Sequence, residues 1–147
     1  MKRQIEMIRN ELGVKIIENE SLDAKGYYVA DLNLIVIKSA LTEWEKNKTL
    51  LHELGYACEH HNNKALYNLT FTIHSKMEYE ANKYMIRKLL KHYMENSSAT
   101  LSEFNYMTFM EIYEIEQHYE EYVKELVLHY VATGRYFKTI CKRKYID

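Results

Sequence analysis

The sequence predicts an α+β domain that is predominantly helical, with a small three-stranded N-terminal sheet and about four to five helices. Three observations point there. Short runs of β-branched and aromatic residues cluster before residue 40. Beyond residue 42, apolar residues recur at helical spacing. Proline is absent from all 147 residues, so no ring interrupts a long helix.

Lys2 to Glu11 reads as a helix with Ile5, Met7 and Ile8 on its apolar side, ended by Gly13. Three strands follow, Val14 to Glu18, Gly26 to Ala30 and Leu34 to Lys38. Asp31-Leu32-Asn33 reads as a hairpin turn between the last two, and the sheet is expected to be largely antiparallel. Helices are then expected at about 42–61, 75–94, 101–113 and 117–132. The first three open on a Ser or Thr followed three residues later by Glu: Thr42 with Glu45, Ser75 with Glu78, Thr100 with Glu103. In such a capping box each side chain satisfies a backbone amide that the helix start leaves open. In the last helix Tyr119, Val123, Leu126, Val127 and Tyr130 share a face and are expected in the core.

Length favours one domain, placed at 1–133, with a basic tail over 134–147. Hydrophobic residues make up 47 %, enough for a core. A net charge of −1 exerts no long-range pull on nucleic acid or anionic lipid, so neither direct nucleic-acid binding nor membrane association is expected. No run reaches the length of a membrane span, and no apolar signal segment follows the charged start. The two cysteines, Cys58 and Cys141, suit a reducing compartment, so a cytoplasmic location is expected. Cys58 is expected in the core, and the single tryptophan, Trp44, as a core anchor.

His52-Glu53-Leu54-Gly55-Tyr56 carries the most chemistry. In His-Glu-x-x-His on a helix, two imidazoles four residues apart face one Zn²⁺, and the Glu acts as general base on metal-bound water. Here a phenol stands where the second imidazole belongs. A His-Glu pair alone is weak, since a chain with 7 histidines and many glutamates contains one by chance. Downstream, Glu78-Tyr79-Glu80-Ala81-Asn82 offers a carboxylate and an amide at i+4 with a small residue between them. Read bare, Glu78 is either the third residue of a capping box with Ser75 or a ligand. His52 is either an ordinary half-buried histidine or a ligand, and Tyr56 is most simply a packing aromatic.

Together these residues resemble the ImmA/IrrE family of metallo-endopeptidases. The likeness rests on Leu51-His52-Glu53-Leu54-Gly55, on Glu78-x-x-Ala81-Asn82 and on the small sheet ahead of them, and extends from about residue 10 to residue 130. It implies a zincin-like fold, with His52 and Glu78 as zinc ligands, Glu53 as general base and Asn82 steadying a ligand histidine. It also implies a phage or other mobile element in a bacterial host, and a protein partner of the helix-turn-helix repressor kind. Tyr56 departs from the pattern. A phenol has a pKa near 10 and is a poor ligand at neutral pH unless the metal deprotonates it. His60 lies about 12 Å along the helix from His52, too far to share an ion, and His61 is no closer. His74, one turn before Glu78, is the best surrogate ligand.

Three functions stay open at this point. One is a zinc peptidase that cuts a repressor, with catalysis impaired by Tyr56. Another is an inactive binding module of the same fold that holds a repressor or other regulator. The third is a plain helical interaction protein docking through Phe104 to Tyr130.

Overall fold

The computed structural model describes residues 1–60, 71–96 and 104–134. These form five α-helices and one three-stranded sheet, an α+β arrangement as expected. They fall into two compact units, one holding Met1–Met85 and one beginning at Ile86. Among the described residues, no helix is long and apolar enough to cross a membrane.

The first unit starts with helix α1 (Lys2–Leu12). Ile5, Ile8 and Leu12 are buried, at the three- and four-residue spacing of one helical face. Met7 is exposed instead of joining them, because two residues after Ile5 it has turned some 200° about the axis. Gly13 closes the helix in the left-handed conformation, φ 63°, and donates its N–H to Arg9 and Asn10 carbonyls.

Strands β1 (Lys15–Asn19), β2 (Gly26–Val29) and β3 (Leu34–Lys38) lie in the order β1-β3-β2. The β2–β3 hairpin is antiparallel, but β1 pairs with β3 in parallel, so the sheet is mixed rather than largely antiparallel. Apolar content explains the order. Ile35, Val36 and Ile37 are all buried and need cover on both faces, which only the central strand receives. Lys15, Glu18 and Asn19 make β1 fit for an edge. The hairpin turns through a short 3₁₀ segment, Ala30–Leu32, and a left-handed Asn33, φ 47°. The Asn33 amide accepts from the Tyr28 hydroxyl at 2.7 Å and donates to the carbonyls of Leu12 and Gly13 at 3.0 and 2.9 Å. One side chain thus ties the hairpin to the end of α1.

Helix α2 (Glu43–His60) packs on α1, β2 and β3. Its capping box forms as expected: the Thr42 hydroxyl accepts from the Glu45 N–H at 3.2 Å, and the Glu45 carboxylate accepts from the Thr42 N–H at 3.0 Å. Leu51, Leu54, Ala57 and Cys58 are buried. Trp44 is not a core anchor. It sits half-buried in the first turn with the Lys48 ammonium 5.4 Å from its ring.

Helix α3 (Phe71–Asn96) is longer than expected. It already runs through residue 75, so Ser75 and Glu78 lie inside it and do not form a capping box at its start. Among its described side chains in the first unit, Met77, Ala81, Tyr84 and Met85 are buried.

The second unit holds the end of α3, with Ile86, Leu89 and Leu90 buried, then α4 (Tyr106–Ile112), a 3₁₀ turn (Gln117–Tyr119) and α5 (Glu120–Thr133). Asn105 caps α4, its side chain accepting from Met107 and Thr108 amides at 2.9 and 3.2 Å. Residues 104 and 105 are not helical, so α4 does not extend back to 101, and the pair Thr100–Glu103 lies outside the described residues. An aromatic cluster of Tyr93, Phe104, Phe109 and Tyr113 holds α3 to α4, with ring centroids 5.2 to 6.3 Å apart. On α5, Val123, Leu126 and Val127 are buried, as is Tyr119 just before it, while Tyr130 is half-buried. The basic residues expected in the tail, from Arg135 on, lie outside the described residues.

Candidate metal centre

The site lies in the first unit, where α2 meets α3. Gly55 sets the approach. A Cβ there would stand 2.9 Å from the Ala81 carbonyl oxygen, 3.2 Å from the Ala81 Cα and 3.2 Å from the Tyr84 Cβ. Glycine on one helix and alanine on the other let the two backbones nearly touch. His52 and Tyr56 flank this point on α2, and Glu78 and Asn82 flank it on α3.

The crossing brings His52 and Glu78 together: Nε2 of the imidazole is 3.0 Å from Oε2 of the carboxylate. Glu53 Oε1 is 3.9 Å from the same nitrogen. Burial would by itself lower the His52 pKa. The bond to Glu78 and the charges of Glu53 and Glu78 outweigh it, with a smaller contribution from a hydrogen bond with Asn82, and the imidazole is held above its ordinary value. His52, Glu53, Glu78 and Asn82 therefore form one connected group.

Glu53 is buried. Burial pushes its carboxyl up to about 7, the Glu78 charge adds to this, and His52 and a hydrogen bond from the Tyr28 backbone amide oppose it. Tyr28 is a member of the site that sequence reasoning missed. Its contribution is a main-chain N–H placed by the pairing of β2 with β3, and an amide leaves no signature in residue type.

Tyr56 is 6 % exposed, and its hydroxyl oxygen is buried. Its ring meets the His52 ring edge-on, centroids 5.5 Å apart. The i+4 spacing thus puts the phenol on the imidazole's side of α2, where the motif would carry its second histidine. The His74 side chain, like those of His60 and His61, lies outside the described residues.

Zinc can be tested against this donor set. A separation of 3.0 Å between His52 and Glu78 suits a direct hydrogen bond, and equally suits two donors around one small ion. The number of donors decides. Catalytic zinc takes three protein ligands and keeps a fourth position for water. Among the described residues, no three His, Cys, Asp or Glu side chains gather to hold a metal. The third neighbour is a buried phenol in place of the imidazole that the motif carries there. Among the described residues the donors are thus His52 and Glu78 with a phenol in the third place, one short of the set that catalytic zinc takes.

A family model described as the IrrE N-terminal-like domain, peptidase family M78, matches residues 9–124. No curated protein and no solved structure matches the chain significantly. The matched stretch contains the whole sheet, the His52–Glu53 pair and the Glu78–Asn82 helix, and it covers well over half of the sequence. The chain belongs to the ImmA/IrrE family of metallopeptidase-like proteins.

Proposed function

We propose that this chain is a binding member of its family: it engages a protein partner of the helix-turn-helix repressor kind, in the cytoplasm of a bacterial host of a phage or mobile element, without cutting it. One observation carries the reading. At the position of the second imidazole stands Tyr56, buried against His52, so among the described residues the donor set is one short of a zinc-activated water. Glu53 then has no activated water to deprotonate. Its surroundings fit a structural part, with a buried carboxyl next to His52 and the Tyr28 amide. The partner class is the one that the resemblance of the sequence implies, and the low net charge fits a protein partner better than a nucleic acid.

The test is to mix the purified chain with the helix-turn-helix regulator of the same element, with added zinc and separately with a chelator. The expected result is a complex of intact regulator in both. A regulator cleaved with zinc and spared by chelator would establish the peptidase reading instead. No complex and no cleavage would remove the repressor as partner.

A further inference from the structure

The mismatch between motif and donor set has a structural counterpart. We infer that this chain joins α2 to α3 through the His52–Glu78 pair rather than through a bound ion, and that, among the described residues, Tyr56 is the position separating the junction from a metal site. The inference rests on the reading of the site given above and extends it to what the residues do instead.

In a metal site, an ion would join α2 to α3 through ligands from both helices. Here His52 and Glu78 join the helices directly, at 3.0 Å. Asn82 contributes a further hydrogen bond to His52 from one turn along α3, and Glu53 lies 3.9 Å away on the other side. The imidazole is thereby oriented as a ligand would be. The Tyr56 ring meets the imidazole edge-on and is itself buried. Gly55 and Ala81 let the two backbones come into contact. His52 and Glu53 on one helix and Glu78 on the other are present. An imidazole at position 56 would supply the third donor, four residues from His52 on the same face, with room left for the ion because imidazole is shorter than phenol.

The test measures zinc per chain, after exhaustive dialysis, for the native chain, Tyr56→His, Tyr56→Phe and the double variant Tyr56→His with Glu78→Gln. Thermal melting with and without chelator is followed in parallel. The native chain and Tyr56→Phe are expected to carry far less than one zinc, with melting unchanged by chelator. Tyr56→His is expected to carry about one zinc and to melt lower when it is removed, since a ligand that binds only the folded state stabilises it. The double variant is expected to lose that zinc. About one zinc on the native chain, with a chelator-sensitive melt, overturns the inference, as does a folded Tyr56→His that binds none. Should Tyr56→His fail to fold, the native chain decides through zinc content and chelator response. Partner binding does not enter this measurement, so loss of the proposed partner and loss of the metal-free junction are read separately.

Discussion

Tyr56 carries two properties at once: it is the residue that breaks the metal motif, and it is a buried ring at the junction of two helices. Truncation to alanine removes that ring from a close-packed site. Tyr56→Ala is expected to lose about 3–5 kcal/mol of stability, the range for deleting a large buried aromatic, measured by urea unfolding. A loss under about 1 kcal/mol would mean that the ring is not packed as described. The His52–Glu78 pair contributes less. Its imidazole side chain is 18 % exposed but its carboxylate is 41 % exposed, so solvent weakens the attraction. A double-mutant cycle through His52→Ala and Glu78→Ala is expected to give a coupling on the order of 1 kcal/mol. Zero coupling would show that the two side chains do not interact in solution. Both residues could be named from sequence, His52 through the Glu that follows it and Glu78 through Ala81 and Asn82. That Glu78 does not cap a helix could not be read. Ser75-x-x-Glu78 is a sound start signal, but α3 already includes Phe71, upstream of it.

Among the elements, α2 shows most directly how local chemistry and close packing divide the work. Its start is local: Thr42 and Glu45 satisfy each other's amides. Thr42→Ala is expected to cost about 1 kcal/mol of stability in chemical denaturation, with the site unchanged. Its middle is a contact. Gly55→Ala gains about 0.5–1 kcal/mol of helix preference. It also drives a methyl to 2.9 Å from the Ala81 carbonyl oxygen, which is backbone and cannot rotate away. Overpacking of this kind costs about 1–3 kcal/mol and outweighs the gain, so Gly55→Ala is expected to be destabilising. A more stable Gly55→Ala would show that the helices do not approach so closely. The hairpin was equally legible, since Asn33 tolerates the left-handed turn that Asp31-Leu32-Asn33 demands. The parallel pairing of β1 was not. Nothing in Val14 to Glu18 distinguishes a strand beside β2 from one beside β3, and the choice follows from which strand must be buried on both faces.

For the whole molecule, composition excluded more than it identified. Net charge near zero supplies no long-range attraction toward a polyanion. The chain is expected to show no saturable binding to duplex DNA near 0.15 M salt by fluorescence anisotropy. Tight, salt-sensitive binding would transfer the proposed partner class from protein to nucleic acid. Family membership was legible because the His-Glu pair, the Glu78–Asn82 helix and the leading sheet occur in one order along most of the chain, though each is short alone.

The sequence by itself determined the class of fold, the order of its elements and the near-motif at 52–56. Those depend on periodicity, capping and residue type, which act over a few neighbours. Only tertiary structure decided that Glu78 faces His52, that the Tyr28 amide reaches Glu53, and that the phenol of Tyr56 is buried beside the imidazole. Each of these is a meeting of residues far apart in the chain or a matter of depth, set by how α2 packs on the sheet and how nearly Gly55 and Ala81 let two backbones touch.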